Sequence, residues 1–195
     1  MMHPAQSKIV VSALAAALVL ALHVGLEGVD VKVEHDKMFD FKAVRTWAWR
    51  AKDFGTVVVA RTKEDDAEDM KQTAEPWILD EVNIQTKARG LQRTESQPDV
   101  TLAYYLLLST NMSTQTLGQF LPATTAWGLP PFAAATQSMK MMNQGSLVLD
   151  LSAKEVVVWR GVAQARVEFG LDAKKREALI REGVRDLLKR YPPKK

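Results

Sequence analysis

Residues 145–161 read Gly-Ser-Leu-Val-Leu-Asp-Leu-Ser-Ala-Lys-Glu-Val-Val-Val-Trp-Arg-Gly, and this stretch restricts the fold more than any other. It is two runs of β-branched and large apolar residues around a polar or small segment, Ser152-Ala153-Lys154-Glu155, which suits a hairpin loop. In the first run Leu147, Leu149 and Leu151 alternate with Ser146, Val148 and Asp150; in the second Val157 and Trp159 alternate with Val156, Val158 and Arg160. Apolar residues on both faces mark central strands rather than edge strands.

The remaining pattern supplies partners for that hairpin. Residues 29–35 alternate Val29, Val31 and Val33 with Asp30, Lys32 and Glu34, a half-buried strand ending near His35. Residues 44–50 give a second strand carrying Trp47 and Trp49 on one face, and 56–60 a short edge strand or a surface loop. Residues 100–108 alternate through Val100, Leu102, Tyr104, Leu106 and Leu108, and this strand is expected to pair with the hairpin. Phe39 and Phe41 are expected to pin the connector after the first strand to the core. One helix is expected over 77–89, opened by Pro76 and closed by Gly90 in the left-handed region, with Leu91 as its apolar contact. Five acids within residues 64–69 form a solvated loop or an acidic first helical turn, and they lack the spacing of a calcium loop. A second helix is expected over 173–191, with Asp172 as N-cap and Ile180, Val184, Leu187, Leu188 and Tyr191 along its apolar stripe. In Gln97-Pro98-Asp99 the aspartate is read as a turn acceptor. These elements predict a two-layer α+β sandwich: an antiparallel sheet of four to six strands with two main helices packed on one face.

At 195 residues the chain has room for one such domain and a targeting segment. Lys8 is followed by the almost unbroken apolar run 9–22, which at fourteen residues is short for a membrane span and fits a signal-peptide core. Residues 1–28 are therefore read as a signal peptide or an uncleaved N-terminal anchor, and 29–195 as a single exported α+β domain. No cysteine is present, so disulfides, thiolate catalysis and cysteine-ligated metals are excluded. The formal charge of +3 is too mild to indicate nucleic acid, because the basic excess collects on the last helix and tail.

Residues 109–144 form a long insertion with one lysine and no acid, rich in Thr, Met, Ala, Gln, Ser and Pro. A segment of that length inside a compact domain is uncommon and often binds something. The candidate binding surface comprises Met112, Phe120, Trp127, Phe132, Met139, Met141 and Met142 within it, together with Arg160, whose charge lies in an otherwise apolar strand. A plain cover over the sheet is the competing reading of the insertion.

Three pieces in order, Thr46-Trp47-Ala48-Trp49, then Arg89-Gly90-Leu91 with Pro98-Asp99-Val100, then 145–150 with Val158-Trp159-Arg160-Gly161, resemble a bacterial family known as domain of unknown function 4136. The terminal Tyr191-Pro192-Pro193 fits as well, so the resemblance spans nearly all of 29–193. It implies a two-layer α+β fold and an envelope location, often as a lipoprotein, and transfers no catalytic residues. A lipobox cysteine is absent here: the apolar run continues into Leu22-His23-Val24-Gly25.

Chemistry is scarce in the pattern. His35 is the one histidine beyond the targeting segment, and no phosphate-cradling glycine loop, nucleophile elbow or zinc helix is written. Asp150 is best satisfied across the hairpin by Arg160. The reading is a non-enzymatic cell-envelope module, without cofactor, that binds an unknown envelope protein or component, with the membrane surface among its candidate contacts. The alternative is a carrier of an apolar small molecule or lipid lined by Trp47, Trp49, Trp127 and the methionines. A hydrolase-like enzyme stands third.

Overall fold

The computed structural model describes residues 29–60, 66–109, 144–166 and 171–193. In chain order the elements are β1 (Asp30–His35), β2 (Thr46–Trp49), β3 (Gly55–Ala60), α1 (Ala67–Ala88), β4 (Gln92–Arg93), β5 (Val100–Ser109), β6 (Gln144–Ala153), β7 (Val156–Arg166) and α2 (Ala173–Leu188). They form one seven-stranded sheet in the order β1-β7-β6-β5-β2-β4, with β3 also against β5.

The hairpin is central, as its sequence requires. β6 pairs antiparallel with β7 on one side and with β5 on the other, the latter from Thr101↔Ser152 to Ser109↔Gln144. Its loop is tighter than the pattern suggests. Lys154 and Glu155 alone turn the chain, both at positive φ (48° and 67°). That is the primed two-residue geometry matching strand twist, reached without glycine. A bulge between Leu151 and Ser152 absorbs the extra residue.

The sheet is mixed, and this corrects the expectation of an antiparallel one. β2 and β3 both run parallel to β5, and β4 parallel to β2. The cause is α1, which carries the chain back over the sheet between β3 and β4; such a crossover returns a strand in its original direction. α1 begins ten residues earlier than the proline suggests. Asp66 caps it by accepting from the Glu68 amide (2.7 Å), Glu68 and Asp69 favour its positive end, and Pro76 lies inside. Its far end follows the sequence closely: Gly90 has φ +75°, its N–H donates to Lys87 O, and the Leu91 N–H donates to Thr86 O. α2 starts on Asp172, which accepts from the Lys175 amide (2.9 Å), and ends at Leu188.

Both helices pack on one face of the sheet. Ala74, Ile78 and Val82 of α1 and Val184, Leu187 and Leu188 of α2 meet Leu102, Tyr104, Leu106, Leu147, Leu149 and Trp159 in a common core. Trp47 is buried in this core, 5.4 Å from the Trp49 ring, and Phe39 and Phe41 close its margin beside Tyr191. Arg181 on α2 joins the helices through Asp80 (2.7 Å). β2 and β3 occupy one column beside β5, separated by the detour 50–54. The Arg50 guanidinium holds that detour, donating to the carbonyls of Lys52 and Asp53 and to the Tyr105 hydroxyl.

Gly161 sits where α2 crosses β7, and a Cβ there would lie 2.6 Å from the Trp159 ring and 2.7 Å from Leu187. Gly161→Ala is expected to lower unfolding free energy by about 1–3 kcal/mol through overpacking, measured by urea denaturation. Asp99 accepts from the amides of Arg45 and Thr46 (2.8 Å each) and the Thr46 hydroxyl (2.9 Å), more than fifty residues away, and so ties β5 to β2 rather than closing a local turn. These bonds, Arg45's foremost, hold its carboxyl below the ordinary carboxylate range. A depressed folded-state pKa contributes stability above the unfolded value of about 3.9, and that contribution is lost as pH falls through the folded value. In Asp99→Asn the acid-side decline in stability is expected to be shallower than in the wild type, measured by thermal melts from pH 5 downward.

Candidate functional site

Strand alternation sends a second set of side chains to the face opposite the helices. Ala103, Tyr105 and Leu107 of β5, Val148 of β6 and Val162 of β7 make a separate buried apolar cluster there, with Val58 against it. A charged pair interrupts this cluster. Asp150 and Arg160 are direct partners in the β6–β7 register. Arg160 donates from Nε to Asp150 Oδ1 (2.6 Å) and from Nη2 to Oδ2 (2.5 Å), with the two residues 0% and 1% exposed. Burial pushes the Asp150 carboxyl up, and the guanidinium opposes that push by hydrogen bond and charge. The partner expected from the hairpin pattern is the actual one.

The charge row extends along the same face. Glu34 of β1 lies opposite Arg160 in register, its carboxyl raised by partial burial and drawn back by the guanidinium's charge. Toward β5, burial pushes the Tyr105 phenol up, and its oxygen accepts from Arg50 Nη1 at 3.3 Å. Gln164 Nε2 donates to Ser146 Oγ at 3.2 Å one register step further on. Both oxygens of Asp150 are engaged by Arg160, so it can act as a general base only by breaking a buried pair.

A second feature lies on the helix face. An apolar cleft of about 60 Å³ opens between α1 and α2, beside the ends of β5 and β6, lined by Trp77, Leu106, Leu108, Leu147, Ala163 and Ile180. Arg176 borders it, and its Nε is buried without a hydrogen-bond partner among the described residues. Trp47 and Trp49 do not line it. They pack at the β2 side of the core, with Trp49 5.4 Å from Phe54 and 6.4 Å from Tyr104, while Trp127, the third tryptophan expected to line a carrier site, lies outside the described residues.

Met112, Phe120, Trp127, Phe132, Met139, Met141 and Met142 lie outside the described residues, as does the 1–28 segment. Among the described residues no group of three or more His, Cys, Asp or Glu is placed to hold a metal ion. Sequence reading missed Glu34 as a neighbour of Arg160, because β1 pairs with β7 across most of the chain. It also missed Trp77 and Arg176 as cleft residues; their only signal was a position on a helix flank.

A mixed seven-stranded sheet with two helices on one face and a charged pair sealed in the other defines a two-layer α+β domain. The family model for DUF4136, a domain of unknown function, matches residues 31–193, and the chain belongs to that family. The fold is similar to that of a PDZ domain protein from Parabacteroides distasonis, at 15% identity and a TM-score of 0.50. That match covers 86% of this chain and 37% of the other, so the chain spans little over a third of that protein's length. A DUF4136 family protein from Bacteroides thetaiotaomicron matches at 16% identity and a TM-score of 0.48 over 85% of this chain and 96% of its own. The PelC dodecamer from Paraburkholderia phytofirmans is more distant, at 11% identity and a TM-score of 0.35 over 82% and 98%. No curated protein matches the sequence.

Arg160→Met alone leaves a buried carboxylate without its counter-ion and is expected to cost about 3–5 kcal/mol. Asp150→Leu combined with Arg160→Met removes both charges and is expected to recover most of that loss. Equilibrium urea unfolding of the single and double variants measures the difference.

Proposed function

We propose that this chain is a non-enzymatic binding or structural module of the bacterial cell envelope. The observation that carries the reading is the way β5 meets β6. Their ladder is continuous to Ser109↔Gln144, so the 34 residues 110–143 are a pure insertion between two central strands. Two residues suffice to turn a hairpin elsewhere in the same sheet, so joining β5 to β6 does not require a connection of this length. An acid-free segment carrying Met112, Phe120, Trp127, Phe132, Met139, Met141 and Met142 is thus available for a partner, an envelope protein or a membrane surface, where methionine adapts its shape at low cost. Lys8 and the apolar run 9–22 support export, and no helix among the described residues is long and apolar enough to cross a membrane.

The engagement of both Asp150 oxygens by Arg160 favours a holding role over a hydrolytic one. A carrier of an apolar small molecule or lipid is the second reading. The cleft between α1 and α2, lined by Trp77 and Ile180, favours it.

In cell fractionation the tagged full-length chain is expected in the envelope or periplasmic fraction; recovery from the cytosol overturns the reading. Deleting 112–142 is expected to abolish capture of envelope components while the melting temperature stays nearly unchanged. Native mass spectrometry separates the two readings, a co-purifying lipid marking a carrier and a second polypeptide a module.

A further inference from the structure

Among the described residues the sheet has three outer edges, and two of them are protected. β1 carries Asp30, Lys32 and Glu34 along its length, and β4 is two residues long and ends in Arg93. Charge and brevity are the usual devices by which an edge is kept from pairing with another chain. β3 has neither. It reads Gly-Thr-Val-Val-Val-Ala over six residues, with no charge and no proline. It pairs with β5 on one side, and among the described residues no strand lies on the other.

Main-chain alternation shows which groups face outward. The Arg50 N–H donates to Leu102 O (2.9 Å) and the Tyr104 N–H to Phe54 O (2.6 Å), so Arg50 and Phe54 turn toward β5. The register then runs without a break from Gly55↔Tyr104 to Ala60↔Ser109. Thr56, Val58 and Ala60 therefore point their N–H and C=O groups into the β5 ladder, while Gly55, Val57 and Val59 point theirs away from it. Earlier in the same column Trp47 follows this parity: its carbonyl faces outward and accepts from the Thr94 amide of the β4 segment (2.9 Å). β4 ends at Arg93, and among the described residues no strand continues it along the outer side of β3.

We propose that β3 is a self-association edge, pairing antiparallel with β3 of a second copy about a two-fold axis through Val57. This register sets Val57 opposite its own copy and Gly55 opposite Val59 of the partner. All three outward residues on each strand are then matched in six main-chain hydrogen bonds. The strand is self-complementary in charge because it carries none, so no like charges meet across the axis. Its side chains suit the contact on both faces: Val57 and Val59 lie against the helix-face core and Val58 against the opposite cluster. Pairing would extend both hydrophobic layers across the axis. The surface is distinct from segment 110–143, and either proposal can fail without the other.

A proline at Val57 provides the test, since the amide it removes faces outward and takes no part in the β5 ladder. In sedimentation velocity over a concentration series, the full-length wild type is expected to go from monomer to dimer. Val57→Pro is expected to stay folded and monomeric, with a melting temperature lowered only by the packing that Val57 gives the core. Val58→Pro, which removes a ladder amide, is expected to destabilise the fold itself. Hydrogen exchange on the wild-type chain needs no variant: the Val57 and Val59 amides should be protected when concentrated and exchange quickly on dilution. A wild type that remains monomeric throughout, a dimer that persists in folded Val57→Pro, or Val57 and Val59 amides whose exchange ignores dilution overturns the proposal.

Discussion

Asp150 and Arg160 face each other on the paired interior strands β6 and β7, on a sheet face from which water is excluded. Burying either charge alone costs several kcal/mol, so each makes the other tolerable, and only if the register of β6 on β7 is held. A slip of one residue sends Asp150 into the helix-face core and separates it from the guanidinium. The pair therefore acts less as a source of net stability than as a constraint on alignment. That alignment in turn sets which residues reach the helix face: Leu147, Leu149, Leu151 and Trp159 meet the two helices only when Asp150 meets Arg160.

On the helix face the constraint is steric. Gly161 lets Leu187 approach the β7 backbone and rest against Trp159, while Tyr104 lies over Gly55 in the same way on the other side of the sheet's centre. The Tyr104 hydroxyl donates to Glu75 of α1, and Tyr191, its phenol pushed up to about 12 by burial, packs edge-on against Trp159. Large aromatics beside missing side chains let two helices of ordinary length seal a seven-stranded sheet.

Much of this was legible from residue order. The 145–161 hairpin, its pairing with 100–108, the left-handed Gly90 and the Asp172 cap all rest on local rules, and each appears where those rules put it. The parallel strands were not legible, because β2 and β3 gain their direction from a crossover helix whose start at the acidic run was only one of two readings of 64–69. Pro76 is a common opening signal, yet Asp66 with Glu68 and Asp69 supplies a stronger one, and the helix accommodates the proline within. Asp99 was recognisable as an acceptor but not as one reaching Arg45 and Thr46, since nothing in a single sequence fixes which distant amides arrive beside it. For the candidate site, Asp150 with Arg160 could be read from alternation and hairpin spacing. Glu34 and the cleft at Trp77 and Arg176 depend on how separate elements come together, which leaves no mark on the local pattern.

The detour 50–54 gives the column beside β5 an articulation. Arg50 spans it with a single planar group whose hydrogen bonds reach Lys52, Asp53 and Tyr105, so the two half-columns are joined by a side chain where an unbroken strand would use its own backbone. The half next to β4 keeps its place in the core through Trp47, and the half at 55–60 keeps its own through the β5 ladder and through Val57 and Val59. One guanidinium thereby stitches two short strands into a single border of the sheet, a task that elsewhere falls to continuous main chain.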